Sequence, residues 1–275
     1  MEYSIGSYRY DGSRTLLMGI LNVTPDSFSD GGRFFDHRLA VERAFELAKE
    51  GADIIDIGGE STRPGADGVD VDDELARVIP VVEAVAPSIG IPVSVDTMKA
   101  AVAEAALDAG ASMVNDVSSL RFDPRMAEML ASRRCSVVLM HMRGDPRTMQ
   151  DNPTYGDVVD EIVEFLGERL SFAESMGIER DRMIVDPGVG FGKNLDHNLC
   201  ILREIQRFRE LCRPVLVGPS RKRMIEMITG APVGERDWGT AAIAAWCTSE
   251  GVDIHRVHNV KAMRQVCAVA AAVRG

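Results

Sequence analysis

Polar side chains stand at the ends of eight short apolar segments that are spread along the chain. In order, they are Asn22, Asp56, Asp96, Asn115, His141, Asp186, Ser220 and His258. An Asp or Asn after a strand often caps the next helix, which would explain any one of them. Eight together instead indicate a polar site where the carboxyl ends of parallel strands meet.

Two carboxylates and an amide in this set suit one kind of ligand. Asp96, Asn115 and Asp186 follow the third, fourth and sixth apolar segments and are expected to face one another across the site. Carboxylates only accept hydrogen bonds, so they match a planar heterocycle with adjacent N–H donors.

A cationic set stands at other strand ends and consists of Arg63, Lys222, Arg256 and His258. The chain has a net charge of -11, so cations gathered against that background indicate a local site for an anionic group such as phosphate. The same net charge argues against nucleic acid as a partner, because binding a phosphate backbone needs a basic face.

A glycine-rich segment at residues 188–194 resembles a phosphate-binding loop but fails its pattern. Pro187 stands where the first glycine is required, and Asn194 stands where Ser or Thr should follow Lys193. Lys193 also occupies the third glycine position of the dinucleotide pattern. The segment therefore does not support a nucleotide site.

The elements that must position these residues alternate regularly along 275 residues. Apolar runs that do not alternate with polar residues suit parallel strands buried on both faces. The eight runs are 16–23, 53–57, 93–95, 113–117, 137–140, 183–185, 214–217 and 253–257. Amphipathic segments lie between them; in residues 100–109, one helical face carries Val102, Ala105, Ala106 and Ala109. Gly51, Gly110 and Gly177 follow expected helix ends, where a left-handed cap is wanted.

Eight such units predict a (β/α)₈ TIM barrel, an α/β fold with one domain over residues 15–275. Residues 1–14, with Tyr8, Tyr10 and an Asp11-Gly12 turn signal, are expected to add a small hairpin at the barrel bottom. The alternative is an open doubly wound sheet, which eight units disfavour.

The cellular setting follows from the chain start and the cysteines. The first 14 residues are polar, and no apolar run approaches the ~18 residues of a membrane span, which predicts a cytoplasmic protein with no membrane partner. Five cysteines without a C-x-x-C pair predict reduced, packed thiols and no zinc site.

Two longer segments carry a resemblance. Residues 19–32 read Gly-Ile-Leu-Asn-Val-Thr-Pro-Asp-Ser-Phe-Ser-Asp-Gly-Gly, and residues 56–65 read Asp-Ile-Gly-Gly-Glu-Ser-Thr-Arg-Pro-Gly. Both resemble the signature segments of dihydropteroate synthases. Further matches follow in order at residues 94–97, 115–116, 140–142, 186–188, 220–222 and 256–258. The resemblance extends from about residue 16 to the C-terminus.

The resemblance implies a role for each matching position. The pterin positions are Asp56, Asp96, Asn115, Met140, Asp186, Phe191, Gly218 and Lys222. The pyrophosphate positions are Asn22, Arg63, Arg256 and His258, with Asn22 also a ligand of Mg²⁺. The p-aminobenzoate positions are Phe28, Thr62, Arg63, Pro64 and Ser220. Catalysis is expected to depend on Asp96, Asp186, Lys222, Arg256 and His258.

The implied reaction condenses 6-hydroxymethyl-7,8-dihydropterin pyrophosphate with p-aminobenzoate, releasing pyrophosphate and giving 7,8-dihydropteroate for folate. The resemblance also implies a homodimer and a sulfonamide target. One departure from the family is Asn259, where Asp is usual after the strand-eight histidine; it bears on the orientation of His258. Pro219 lies at a position that varies in the family.

Two other functions fit part of the pattern. A methyltetrahydrofolate–corrinoid methyltransferase would share the Asp and Asn contacts, but it has no use for the cations at residues 220–222 and 256–258. A pterin-binding paralogue without catalysis would be expected to have lost part of the two signature segments or of the cationic set, and all are intact.

Overall fold

A ring of eight parallel strands forms the centre of the molecule in a computed structural model, which describes residues 2–24, 37–61, 68–145 and 148–275. The strands are β3 (Leu16–Asn22), β4 (Ile54–Gly58), β5 (Val93–Asp96), β6 (Met113–Asp116), β7 (Ser136–Met140), β8 (Met183–Asp186), β9 (Leu216–Val217) and β10 (Ile254–Val257). All eight predicted strands form.

The ring follows chain order and closes where β10 pairs with β3. Parallel pairing runs from β3 through β8, and β10 lies between β3 and β9. A single bridge between Val185 of β8 and Val215, just before β9, completes the circle. The structure is therefore a nearly closed TIM barrel, and the predicted fold is confirmed.

Helices between the strands cover the outside of the ring. They are α1 (His37–Lys49), α2 (Val71–Val85), α3 (Ala100–Asp108), α4 (Met126–Ala131), α5 (Val158–Ser175), α6 (Leu195–Arg203), α7 (Arg223–Thr229), α8 (Asp237–Ser249) and α9 (Val260–Arg274). The β9–β10 connection carries two helices, α7 and α8. No described helix combines the length and the apolar composition that a membrane crossing would require.

Helix ends agree with the residue types found there. Asp70 and Asp157 accept hydrogen bonds from first-turn N–H groups of α2 and α5. Gly51, Gly110 and Gly177 have φ near +100°, the left-handed region that glycine adopts most easily. The predicted buried face of α3 is only partly right, because Val102 and Ala106 are buried while Ala105 and Ala109 are partly exposed.

The apolar core has two layers separated by the strands. The larger layer lies between strands and helices and includes Leu17, Ile55, Val114 and Phe208. A smaller cluster, with Leu16, Ile54, Val138 and Ile254, fills the ring at the amino ends of the strands. The interior is thus mainly apolar at the bottom, where Ser136 is bonded to the hairpin carbonyl of Ser4, and buried carboxylates lie toward the opposite mouth. Among the described residues all five cysteines are free thiols.

A hairpin covers the barrel bottom, as expected, but it turns at a different place. Strands β1 (Tyr3–Ile5) and β2 (Tyr8–Tyr10) pair antiparallel, and the turn is Gly6-Ser7 instead of the predicted Asp11-Gly12. Gly6 supplies the positive φ, at +58°, that a tight hairpin turn requires. Tyr3 and Ile5 pack into the apolar bottom cluster. The Asp11-Gly12 pair instead follows the hairpin on the way to β3.

Candidate active site

Strand register brings the first group of polar residues side by side at the mouth. Asn22 pairs with Gly58, Gly58 with Asp96, and Asp96 with Asn115 across β3 to β6. Residues paired in this way point to the same face of a sheet. Gly58 has no side chain; a Cβ there would stand 3.3 Å from the Cβ of Asp96, so the glycine leaves room between Asn22 and Asp96.

One arginine joins two of the buried carboxylates. Arg256 of β10 donates from Nε to Oδ2 of Asp56 (2.6 Å) and from Nη2 to Oδ2 of Asp96 (2.7 Å). The same Asp56 oxygen accepts from Nδ2 of Asn115 at 3.2 Å. Asp56 is fully buried and Asp96 is 6% exposed. We call these four residues the carboxylate–arginine network.

The network leaves unused acceptors. The Oδ1 atoms of Asp56 and Asp96 are buried and have no hydrogen-bond partner within the described part of the chain. Burial raises the pKa of the Asp96 carboxyl to about 7; the Arg256 charge opposes the rise and the Asp56 charge adds to it. One cation therefore serves two carboxylates, and the site has unmet acceptor capacity for a ligand with N–H donors.

We expect Asp96→Asn to change how stability depends on pH. The folded-state pKa of Asp96, about 7, lies above the roughly 3.9 of an unfolded aspartate, so the folded form binds a proton that the unfolded form lacks between these values. The stabilisation that the protonated Asp96 carboxyl adds to the free energy of unfolding is fully present below pH ~4 and is lost as pH rises through ~7. Asn does not ionise, so the variant should gain free energy of unfolding relative to wild type as pH rises from 4.5 to 8.

Urea unfolding at the two pH values measures this difference. Asp181→Asn, in an exposed turn, is the control and should keep the same offset from wild type at both pH values. An Asp96→Asn offset that stayed constant or fell with rising pH would contradict the prediction.

Asp186 stands at the end of β8 and is also buried. Its Oδ1 accepts from the backbone N–H of Gly188 at 2.7 Å, so the carboxylate does cap the turn that follows the strand. Burial raises its pKa to about 6, while the Gly188 N–H and the charges of Lys222, Lys193 and Arg256 act in the opposite direction. Only one of its two oxygens is needed for the turn.

An apolar wall and an ammonium group lie beside this carboxylate. Nζ of Lys222 lies 4.0 Å from the centre of the Phe191 ring. Phe191 packs on an apolar cluster formed by Met98, Val117, Met140, Met142 and Met149. A flat apolar surface next to buried acceptors is the combination that a planar heterocycle requires. Gly218 follows β9 and is partly buried.

His258 is held by the loop after β9. Its Nδ1 is 2.8 Å from Oγ of Ser220, and its backbone N–H donates to the same oxygen at 3.2 Å. Asn259 caps α9 by accepting from Ala262 N and donates from Nδ2 to Oδ2 of Asp237 at 3.0 Å. The amide donates where an aspartate would meet a second carboxylate, and it makes no bond to His258.

Two buried groups were missed by the sequence reasoning. Lys193 was seen only as part of a failed phosphate motif, yet its ammonium is buried and bonded to His141 and to two loop carbonyls. Lys99 pairs with Glu60 and Glu74 beneath the exit of β4. A lysine within a glycine-rich run was the available signal for Lys193, and no pattern marked Lys99.

Four predicted site residues lie outside the described part of the chain, namely Phe28, Thr62, Arg63 and Pro64. Within the described residues, no group of three or more His, Cys, Asp or Glu side chains could hold a metal ion.

Known proteins are similar to this chain over most of its length. A family model described as pterin binding enzyme matches residues 18–258. The chain is 45% identical over 271 residues to a dihydropteroate synthase of Synechocystis, covering 98% of this chain and 94% of the relative. It is 46% identical over 251 residues to the Escherichia coli K12 dihydropteroate synthase, covering 91% and 89%.

Solved structures give the same result. A Yersinia pestis dihydropteroate synthase with a sulfonamide drug complex superposes with a TM-score of 0.95 at 42% identity, covering 100% of this chain and 99% of the other. A Xanthomonas albilineans dihydropteroate synthase with 4-aminobenzoic acid superposes with a TM-score of 0.93 at 45% identity, covering 100% and 98%.

Proposed function

Because the chain belongs to the family of pterin-binding enzymes and catalyses the dihydropteroate synthase reaction, we propose that the carboxylate–arginine network and Asp186 hold the dihydropterin ring. The observation that carries the assignment is the pair of buried Oδ1 atoms on Asp56 and Asp96 without partners in the described chain. A pterin ring offers an exocyclic amine and ring N–H groups, which donate to such acceptors. Phe191 and Met140 would line the ring, with Gly218 and Lys222 at its edge.

The cations at the other side of the mouth are assigned to pyrophosphate. His258, held by Ser220, would donate to the phosphate oxygens, together with Arg63. Arg256 has a double role in this proposal: its guanidinium is bonded to Asp56 and Asp96, and its charge would also favour the leaving group. A bidentate arginine between carboxylates and phosphate suits both.

We assign Mg²⁺ to the space beside Asn22. The amide oxygen of Asn22 is a hard ligand, and the missing side chain at Gly58 leaves room next to it. Bound there, Mg²⁺ would supply charge neutralisation for the departing pyrophosphate. The protein's own part is to hold that amide at the end of β3.

The proposed mechanism separates charge before the new bond forms. The C–O bond to pyrophosphate breaks first, and the resulting pterin methylene cation is attacked by the aniline nitrogen, which then loses a proton. The aniline is neutral at pH 7, so attack needs no activating base. The carboxylates of Asp96 and Asp186 would stabilise the cation, Lys222 would hold the ring edge, and Arg256 and His258 would stabilise the leaving group.

The p-aminobenzoate pocket is assigned to Ser220 together with Phe28, Thr62, Arg63 and Pro64. Support comes from the Xanthomonas albilineans relative, whose structure was solved with 4-aminobenzoic acid. Sulfonamides would compete at this pocket, in line with the sulfonamide drug complex of the Yersinia pestis relative.

We also propose a homodimer that works in the cytoplasm. Several exposed apolar side chains follow one another from α7 to the start of α8, namely Met227, Ile228, Val233 and Trp238, the last of them 87% exposed. Val269 and Val273 lie exposed on α9, which packs against α8. An apolar patch of this kind is typical of a protein–protein interface.

His258→Ala is expected to weaken pyrophosphate binding by roughly tenfold or more, since a hydrogen bond to a charged group contributes about 1.5–3 kcal/mol. Binding of free 6-hydroxymethyl-7,8-dihydropterin should change by less than about twofold, because His258 is bonded to Ser220 and not to the carboxylate–arginine network. Calorimetry with each ligand in the presence of Mg²⁺ measures both. Dihydropteroate formation from pterin pyrophosphate and p-aminobenzoate should fall in parallel with pyrophosphate affinity. Equal losses of affinity for pyrophosphate and for the free pterin would contradict the assignment of His258 to the pyrophosphate side alone.

A further inference from the structure

Lys193 lies in the loop between β8 and α6 and is almost completely buried, at 3% exposure. Its Nζ lies 2.9 Å from each of three acceptors: Nδ1 of His141, the carbonyl of Gly188 and the carbonyl of Phe191. A fourth contact, to the carbonyl of His141, is longer at 3.3 Å. Burial lowers the pKa of Lys193 well below its usual value, against the charge of Asp186, but the three short contacts match the three donors of an ammonium group.

Nδ1 of His141 accepts from Lys193 when the amine carries three hydrogens. Burial, with the nearby charges of Lys193 and Arg121, lowers the pKa of His141 to about 2, so its ring is neutral at physiological pH. Nδ1 of a neutral imidazole can accept when the proton is on Nε2. His141 follows β7, so the ammonium connects the exit of β7 to the loop after β8.

The loop is built to approach this group closely. Gly188, Gly190 and Gly192 all have positive φ, between +65° and +86°. A Cβ at Gly188 would stand 1.9 Å from the carbonyl oxygen of His141, and one at Gly192 would stand 2.7 Å from that of Arg143. Only glycine allows this packing, and it turns the loop carbonyls inward onto Lys193.

The two carbonyls held by Lys193 belong to residues that shape the proposed pterin site. Gly188 donates its N–H to Oδ1 of Asp186 at 2.7 Å. Phe191 presents its ring to Nζ of Lys222 at 4.0 Å. One ammonium group therefore fixes the backbone that orients the carboxylate and the aromatic wall.

We propose that Lys193 is a positioning residue for the pterin, which it does not touch: its ammonium holds the loop that aims Asp186 and Phe191 into the site. The inference rests on the pterin assignment made above. It predicts that loss of the ammonium weakens binding of the pterin and leaves the pyrophosphate side of the mouth, which His258 and Ser220 form on other elements, unaffected.

The test is Lys193→Met, which retains an unbranched apolar stem and removes the three donors. Calorimetry should show affinity for 6-hydroxymethyl-7,8-dihydropterin falling at least about tenfold, and affinity for pyrophosphate with Mg²⁺ staying within about twofold. Tyr155→Phe is the matched control, because the Tyr155 hydroxyl donates to the Gly192 carbonyl of the same loop at 2.8 Å without touching Gly188 or Phe191. It should bind both ligands like wild type.

Each outcome decides the question. Equal losses of pterin and pyrophosphate affinity, or unchanged pterin affinity in folded protein, would overturn the inference. If Lys193→Met does not fold, Lys193→Gln, which keeps N–H donors on a shorter side chain, takes its place, and the same selective loss is expected. If neither folds, Lys193 is a determinant of folding and the inference fails. Wild-type protein that bound no pterin would remove the site assignment as well, so the two failures are distinguishable.

Discussion

Arg256→Met is expected to lower the free energy of unfolding by about 3 kcal/mol at pH 8, because it leaves two buried carboxylates without their cation. Asp56 and Asp96 both depend on this guanidinium, at 2.6 and 2.7 Å. The side chain of Arg256 is 20% exposed, which favours the lower end of the range for breaking a buried ion pair. Urea unfolding measures the loss.

The same variant should show a smaller deficit at pH 5. Without the arginine, the folded-state pKa of Asp96, which burial already raises, moves further above the unfolded value of roughly 3.9, so the deficit grows as pH rises between them. Arg207→Met is the control: Arg207 also pairs with three acidic residues, Asp160, Glu204 and Glu210, but on the surface, where loss of a pair costs about 0–1 kcal/mol. Equal losses in the two variants would contradict the special position of Arg256.

A double variant tests whether the loss of stability comes from the unpaired carboxylate charge. Asp56→Asn added to Arg256→Met removes one of the two stranded carboxylates, so the double variant should be more stable at pH 8 than Arg256→Met alone. Residues in direct contact commonly show coupling energies of about 0.5–3 kcal/mol. Strict additivity of the two changes would indicate that the pair does not interact.

Asp186→Asn is expected to lower affinity for 6-hydroxymethyl-7,8-dihydropterin at least tenfold, which is roughly 1.4 kcal/mol. Because Oδ1 of Asp186 accepts from Gly188 N–H, the amide of the variant should turn its oxygen to that N–H and its NH₂ toward the ligand. A donor then meets the ring's donors, and leaving such groups unpaired costs about 1–3 kcal/mol. The turn keeps its cap, since Asn caps about as well as Asp, and the thermal midpoint should stay close to that of wild type.

Calorimetry and thermal unfolding are measured together on this variant. Asp157→Asn is the matched control, because Asp157 caps α5 by accepting from Val159 and Asp160 N–H groups and should tolerate the same change in both measurements. Unchanged pterin affinity in Asp186→Asn would limit Asp186 to its turn. A large fall in its midpoint would contradict the expectation that one oxygen is sufficient for the cap.

The strands and the position of the site could be predicted because both depend on local pattern. Runs such as residues 137–140 are short and apolar on successive positions, which suits a strand covered on both faces. A residue such as Asp186 could be assigned to the mouth because it ends its strand. The hairpin turn was misplaced because Gly6 and the Asp11-Gly12 pair give equally good local signals, and only packing of Tyr3 and Ile5 under the ring favours Gly6.

The partners of the site residues could not be predicted from local pattern. Arg256 and Asp56 are 200 positions apart, and they meet only because β10 lies beside β3 in the closed ring. Lys193 stands in a glycine-rich run that is usually exposed; its burial depends on loop carbonyls turned inward by positive φ angles. Such contacts form only when distant elements pack together in the closed barrel, and they produce no periodic pattern in the sequence.

Because β8 and β9 are joined by a single bridge, closure of the ring can depend on the bound ligand. Seven neighbouring strand pairs are hydrogen-bonded along their length and the eighth by one bridge, so the barrel is a curved sheet whose two edge strands, β8 and β9, meet at that bridge. Asp186 ends edge strand β8 and Lys222 follows edge strand β9, so a molecule that contacts both links the two edge strands. A substrate that binds only the closed barrel would therefore stabilise closure, and closure would in turn favour binding of substrate. Unfolding of the barrel in the presence of substrate should then be more cooperative.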